Sequence, residues 1–191
     1  MGSVRGSGLR HAWLRTADGT WFDIDAVVSL EGDLETDDTN IEGDDEILAN
    51  FTSKPTKSIS ITANSLTPEI LGAITGQTPT ALSTVDAVGQ EIGMGGEGES
   101  NPPYVEVGGY TVGKLKADDT PQTIQHIFHR VQLRMTSSPQ EKDSEFNTQF
   151  EGTAYQTAAD ITGTALAYRR IDTLRYTEQT VEDLEALQTN A

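Results

Sequence analysis

The stretch TIQHIFHRVQLRMTS, residues 123–137, is the longest run of this chain in which apolar and polar side chains alternate. Its apolar positions share one face of an extended chain: Ile127, Val131, Leu133 and Met135. Its polar positions share the other face: His126, Arg130, Gln132 and Arg134. A period of two is typical of a β-strand with one face toward a core and the other toward water. The stretch therefore predicts a long strand in a mainly β protein.

The same period of two recurs on both sides of this stretch. It is seen from Trp21 to Val28 and in KSISITANS (57–65), PYVEVGGYTVG (103–113), SEFNTQFEGTAYQ (144–156) and TALAYRRID (164–172). The pair Gly108-Gly109 predicts a turn or a β-bulge, because glycine weakens the interior of a strand. We expect about seven or eight strands in a two-sheet sandwich or partly closed barrel.

One short flanking helix is predicted at about 66–76. Thr67 is a suitable N-cap, Pro68 fits the first helical position, and Gly76 suits a left-handed C-cap. The apolar stripe of this helix is formed by Leu66, Ile70, Leu71 and Ile74. So short a helix is not stable by itself, so we expect it to pack on the sheet.

The pattern divides the chain into three parts. We interpret residues 1–20, which carry Gly, Ser and basic side chains, as an N-terminal arm rather than a strand, either mobile or docked on a neighbouring subunit. Residues 21–175 form the β domain, with long loops at 31–46 and 89–103. Residues 176–191 form a C-terminal extension, where apolar residues at helical spacing predict a peripheral helix.

Composition limits what the chain can bind. Thirty acidic residues against thirteen Lys and Arg give a formal charge of −17, which opposes ordinary binding to nucleic acid or to an anionic membrane. There are no cysteines, so disulfides and thiolate sites are excluded. No segment of the sequence has the length and hydropathy of a membrane span. We expect a protein made in a cytoplasm, with no cofactor and no membrane partner.

The densest charge is the run EGDLETDDTNIEGDDE at residues 31–46, in which nine of sixteen positions are acidic. Asp33, Glu35 and Asp37 have the spacing of the first ligands of a calcium loop, but the required glycine is absent at Asp38 and strands flank the run. We predict a hairpin-like acidic loop that faces a neighbouring subunit or a lumen. Its candidate residues are Asp33, Glu35, Asp37, Asp38, Glu42, Asp44, Asp45 and Glu46.

Five of the thirteen bases are concentrated late in the chain, and we predict that they meet the acidic run of a neighbouring subunit. These candidate interface bases are Arg130, Arg134, Arg169, Arg170 and Arg175. His126 and His129 lie three apart on a predicted strand and so point to opposite faces, which argues against a zinc site. No nucleophile motif of a hydrolase is present, and we expect no enzymatic activity.

Several of these stretches together resemble the major tail proteins of long, non-contractile-tailed bacteriophages. The resemblance is carried by IEGDDEILANFTSKPTKSISITANSLTPEILGAITGQ (41–77), YVEVGGYTVGK (104–114), IFHRVQLRMTS (127–137) and SEFNTQFEGTA (144–154). It covers roughly residues 20–172 and rests on a diffuse pattern without an invariant motif.

This resemblance implies a structural protein of the virion tail, assembled in the host bacterial cytoplasm. Such subunits are β-sandwiches that form hexameric rings, and the rings stack into a tube around a tape-measure protein. The tube ends on a tail terminator and on distal tail or baseplate proteins, and genomic DNA passes through it without specific binding.

Two other interpretations stay open on the residues alone. One is a calcium- or carbohydrate-binding β-sandwich module, in which the acidic run would hold the metal. The other is a non-propagating ring protein of the same fold, such as a tail terminator or a distal tail protein.

Overall fold

A computed structural model describes residues 4–6, 9–24, 27–35, 38–43, 46–52, 56–64, 66–84, 87–91, 101–115, 121–137 and 147–177. This part of the chain is mainly β with one short helix, which confirms the predicted fold class. In chain order its strands are β1 (Val4–Gly6), β2 (His11–Arg15), β3 (Trp21–Ile24), β4 (Val27–Glu35), β5 (Asp38–Gly43), β6 (Glu46–Thr52), β7 (Thr56–Ala63), β8 (Thr80–Thr84), β9 (Ala87–Glu91), β10 (Val105–Leu115), β11 (Pro121–Ser137), β12 (Thr148–Tyr155), β13 (Thr157–Ala159), β14 (Ala165–Arg170) and β15 (Asp172–Thr177).

Nine of these strands form one main sheet, and the long strand β11 organises it. The order is β3-β2-β10-β11-β12-β7-β4, and β1 and β15 pair with β10 and β11 outside this path. One edge of β11 pairs with β10, whereas the other edge pairs with β15 over its first half and with β12 over its second. All of these pairings are antiparallel. The strand predicted from residues 123–137 is therefore confirmed, and the structure places it at the centre of the main sheet.

The β4 end of this sheet folds over an apolar core. A Cβ added to Gly32 of β4 would lie 2.8 Å from the Phe128 ring of β11, and one added to Gly109 of β10 would lie 3.2 Å from Leu30. These contacts show that β4 faces β10 and β11 across the core, as the layers of a sandwich do. The largest fully buried side chains include Trp13, Phe128, Phe150, Ile59 and Leu133. The layers belong to one continuous sheet, and no closed barrel forms among the described strands.

The helix α1 (Pro68–Thr75) begins and ends where the sequence predicts. The Thr67 hydroxyl accepts a hydrogen bond from the Ile70 amide, and Gly76 is left-handed with φ of 76°. Ile70 and Ile74 are buried, so the stripe packs into the core as expected. Within the described part of the chain no helix could cross a membrane.

The interpretation of residues 1–20 as an arm is wrong for residues 11–15. These form β2, which pairs with β3 on one edge and β10 on the other, and Ala12, Trp13 and Leu14 are buried. Only three consecutive apolar residues occur there, between His11 and Arg15, and so short a run shows no period.

The acidic run is also misread as a loop. Residues 31–35 end β4, and the run continues through β5 to the start of β6, which pair as a hairpin. Residues 36–37 and 44–45 lie outside the described residues. Asp, Glu and Asn are poor strand formers, so local preference favours a loop, and the pairing partners override it.

Three further boundaries differ from the prediction. The strand expected from Trp21 to Val28 is divided between β3 and β4. Gly108 and Gly109 lie inside an unbroken β10, and the bulge occurs next to them, where His129 and Arg130 of β11 face Glu106. The last strand, β15, extends to Thr177 past the expected boundary at 175, and the predicted second helix lies outside the described residues.

Candidate functional site

The outward face of four neighbouring strands, β4, β7, β12 and β11, is polar throughout. Alternate residues of these strands point away from the core, because successive side chains of a strand lie on opposite faces. No large apolar side chain interrupts the twelve positions of this polar face, and none of the twelve is buried. They are Ser29, Glu31 and Asp33 of β4, Ser58, Ser60 and Thr62 of β7, Gln149, Glu151 and Thr153 of β12, and Gln132, Arg134 and Thr136 of β11.

Strand register brings these residues into rows across the face. One row runs from Glu31 through Ser60 and Glu151 to Arg134. The next row runs from Asp33 through Ser58 and Thr153 to Gln132, with the same strand partners. Four strands at a spacing of about 4.8 Å place the first and last residue of a row roughly 14 Å apart. Carboxylates therefore lie on β4 and β12, hydroxyls lie between them, and a guanidinium lies on β11.

The polar face has a depression at its centre. Its volume is about 460 Å³, and it is lined by residues of both rows together with Ile59 and Gly152. The Gln149 side-chain amide donates to the Glu151 carboxylate at 3.3 Å and to the Ser60 hydroxyl at 3.5 Å, which orients side chains along the edge of the depression.

An aromatic cluster closes one end of the polar face. The rings of Tyr104 and Tyr155 pack edge to face with centroids 5.8 Å apart, and the Arg130 guanidinium lies 4.0 Å above the Tyr104 ring. Arg130 remains exposed, and a cation stacked on an aromatic ring is held in a defined position.

The structure places one of the eight candidate acids on the polar face. Asp33 is exposed there, opposite Ser58. Glu35 ends β4, Asp38 and Glu42 lie on β5, and Glu46 begins β6, but their side chains are not among those described. Asp37, Asp44 and Asp45 lie outside the described residues.

The candidate bases whose side chains are described lie in different surroundings. Arg134 lies on the polar face and Arg130 lies over the Tyr104 ring at its end, whereas Arg170 donates to the Thr173 hydroxyl at 3.3 Å. Arg169 belongs to β14 and Arg175 to β15, and their side chains are not described.

Sequence reasoning missed the members of the polar face that lie in the middle of the sheet. Ser58, Ser60 and Glu151 were predicted to lie opposite the apolar positions of their strands, and that alternation is confirmed. Alternation within one strand does not reveal which strand lies next to it, so the joined face was not predictable from the pattern alone.

A second polar group, also missed, lies inside the fold. His129 Nδ1 lies 2.8 Å from Glu106 Oε2, and His129 Nε2 lies 2.8 Å from the Thr173 hydroxyl. The exposed fractions of Glu106, His129 and Thr173 are 4%, 3% and 5%. A carboxylate accepts hydrogen bonds, so Nδ1 is the donor toward Glu106, and Nε2 is paired with the Thr173 hydroxyl. These three residues, the buried chain, connect β10, β11 and β15.

The order of groups in the buried chain, hydroxyl to imidazole to carboxylate, is the order that activates a nucleophile in hydrolases. All three side chains are enclosed, however, so a substrate does not reach the Thr173 hydroxyl in this arrangement. In the closed fold the buried chain acts as a tie between strands, because both imidazole nitrogens of His129 have partners on neighbouring strands.

A neighbouring ion pair fixes the start of β15. The Asp172 carboxylate accepts from Lys57 Nζ at 2.7 Å and lies 2.8 Å from His126 Nε2. Burial raises the pKa of Asp172, but the hydrogen bonds from Lys57 and His126 outweigh it, so the pKa lies below its ordinary value. His126 and His129 thus hold the consecutive residues Asp172 and Thr173, and no group of metal-ligating side chains forms among the described residues.

A comparison with known protein-family models and with curated proteins found no match to this chain.

Proposed function

We propose that this chain is the subunit of a bacteriophage tail tube, and that the polar face of β4, β7, β12 and β11 lines the lumen. The observation that carries the proposal is a broad sheet surface with a depression at its centre, in which all twelve outward positions are polar and only Arg134 is basic. A dry protein contact requires a cluster of apolar or aromatic anchors, and the centre of this face has none. The face is therefore suited to stay in contact with water.

Charge supports a role in conducting DNA. Six copies in a ring carry 6 × −17 = −102 formal charges. Glu31, Asp33 and Glu151 add carboxylates to the face, against one Arg134 in the same rows. A wall of this sign repels phosphates, so the polymer slides without binding.

The edges of the main sheet support ring formation. β3 and β4 end the sheet, and neither pairs with another described strand on its outer side. An open nine-residue edge such as that of β4 invites pairing with another chain, and a head-to-tail contact repeated by rotation closes a ring. In the proposal the neighbouring copies cover these edges.

Electron microscopy of the purified protein tests the proposal directly. Samples over a wide concentration range, with and without a candidate tape-measure protein, are imaged in negative stain. We expect rings of six copies that stack into tubes with an open lumen. Closed single rings that never stack would instead support a terminator or distal tail protein.

Folded monomers under every condition would contradict the assembly role. Isothermal titration with calcium and with a panel of soluble glycans then distinguishes the remaining interpretation, since a binding module takes up one of these ligands and a tube subunit does not. Circular dichroism on the same samples verifies that the protein is folded.

A further inference from the structure

The hairpin of β13 and β14, residues 157–170, has no core of its own. None of its described side chains is buried, and Thr162, Thr164, Ala165 and Ala167 are exposed. Its two strands form a separate sheet that pairs with no other strand among the described residues. A two-stranded hairpin without a packed face is marginal in water, so other contacts must hold it in place.

Among the described residues, polar contacts at both ends of this hairpin tether it to the rest of the fold. Arg15 Nη1 of β2 lies 3.7 Å from the Asp160 carboxylate at the hairpin turn and 3.8 Å from Glu106 Oε1. At the other end of the hairpin, Arg170 Nη1 donates to the Thr173 hydroxyl. Both tethers therefore lead to the buried chain of Glu106, His129 and Thr173.

The Arg15 guanidinium makes no hydrogen bond to either carboxylate. Both of its carboxylate contacts are longer than 3.5 Å, and its Nε atom is buried without an acceptor. The guanidinium also lies 4.8 Å from the centre of the Trp21 ring. Contacts of this length are ion pairs without a hydrogen bond, so they hold the hairpin less firmly than a hydrogen-bonded pair would.

We propose that the hairpin of residues 157–170 is a flap that opens locally about its two ends, and that the Arg15–Asp160 pair is its latch. Gln156 and Ile171 are the hinges, since Ala154 before the flap is buried and Ile171 packs against the core. Opening separates Asp160 from Arg15 and Arg170 from Thr173, and it admits solvent to the Thr173 hydroxyl and His129. This inference does not depend on the proposed function.

A buried thiol measures the opening. The chain has no cysteine, so Thr173→Cys supplies a single probe at a position that is 5% exposed. Its thiol replaces the hydroxyl that Arg170 and His129 contact, so every comparison is made within this background. The rate of labelling with a small thiol reagent is measured at rising urea concentrations well below global unfolding. We expect labelling that is independent of urea at first, because local opening exposes little surface.

The latch is tested by Asp160→Asn in the Thr173→Cys background. The amide keeps the acceptor for Thr162 and Thr164 but loses the charge opposite Arg15. We expect labelling to accelerate about two- to fivefold. The matched control is Asp18→Asn, because Asp18 builds a similar turn with Thr16 and Thr20, and this variant should leave the rate unchanged.

Amide hydrogen exchange of the unmodified protein gives an independent reading without any substitution. We expect residues 157–170 to exchange much faster than residues 131–135 of β11. Labelling that follows the urea dependence of global unfolding, equal rates for Asp160→Asn and Asp18→Asn, or protection of the hairpin equal to that of β11 would each overturn the proposal.

Discussion

Gly152 of β12 lies against the backbone of β11 with no room for a side chain. A Cβ at this position would lie 1.9 Å from the carbonyl oxygen of Gln132 and 3.0 Å from Leu133 Cα. Both neighbours are backbone atoms of the central strand, so they do not move aside as a flexible side chain does. The close approach explains why the pairing of these two strands requires glycine here.

We expect Gly152→Ala to lower the free energy of unfolding by about 1–3 kcal/mol, as overpacking of a core does. Urea denaturation followed by fluorescence measures the change. The control is Thr153→Ala, next along β12 and on the polar face, for which we expect a loss below about 1 kcal/mol. Equal stability of Gly152→Ala and the parent protein would show that β12 does not approach β11 so closely.

Asp172 makes the free energy of unfolding depend on pH under acidic conditions. Its pKa is lowered in the fold because hydrogen bonds from Lys57 and His126 outweigh the effect of burial. A lowered pKa stabilises the fold above the ordinary value, about 3.9, and this contribution is lost as the pH falls through the folded pKa. The loss therefore occurs below about pH 4.

We expect Asp172→Asn to cost about 1–2 kcal/mol at pH 7 and progressively less below pH 4. Urea unfolding of both proteins from pH 2.5 to 7 measures this difference. The control is Asp23→Asn, whose carboxylate is more exposed and contacts only His11 among the described residues. A constant difference between Asp172→Asn and the parent across the whole range would contradict the assignment.

At the scale of elements, β2 is a core strand within a segment whose Gly, Ser and basic residues predict a terminal arm. Its five residues contribute three buried side chains and pair on both edges. Trp13 packs on Trp21 with ring centroids 4.5 Å apart, and it covers Gly108 of β10 so closely that no Cβ fits there. The strand is a necessary part of the core.

Deletion of residues 1–16 should therefore prevent folding. Removing β2 exposes one edge of β10 and one of β3 and leaves the space of a buried tryptophan empty, a loss of about 3–5 kcal/mol for that side chain alone. Near-ultraviolet circular dichroism and thermal unfolding measure the result. A truncated protein that still unfolds cooperatively near the melting temperature of the parent would restore the interpretation of this segment as an arm.

At the scale of the whole molecule, reversing the charge of the polar face distinguishes two possible roles of its acids. They either line a lumen or contact a neighbouring subunit. In the proposed tube, the triple variant Glu31→Lys, Asp33→Lys, Glu151→Lys reverses the wall charge without touching the core, since all three side chains are exposed. We expect tubes to assemble and phage carrying them to eject DNA poorly, because the basic wall binds phosphates.

A failure of the triple variant to assemble would contradict the lumen role of these acids. If these acids contact arginines of a neighbouring subunit, the triple variant fails to form tubes, and the assembly assay detects this before any infection. Unchanged assembly together with unchanged ejection would show that the face has neither role. Neutral substitution of the three acids to Gln, Asn and Gln is the matched control, since it removes the charge without adding phosphate binding.

Sequence alone determined the elements whose signals are local. The period of two around Val131 located β11, and the capping residues Thr67 and Gly76 located α1, because side-chain direction and capping depend on neighbours only a few residues away. The acidic composition likewise gives, without any knowledge of the fold, the expectation that the chain does not bind nucleic acid through its phosphates.

Only the tertiary structure decided which faces meet. β12 and β7 are some ninety residues apart in the chain, yet Glu151 lies directly opposite Ser60, and Glu106 lies beside His129 in the interior. Strand pairing depends on the free energy of the whole sheet, in which burial outweighs local preference, so β2 became core and the acidic run became strands. Each strand sequence encodes a polar side and an apolar side, and the fold joins four polar sides into one surface.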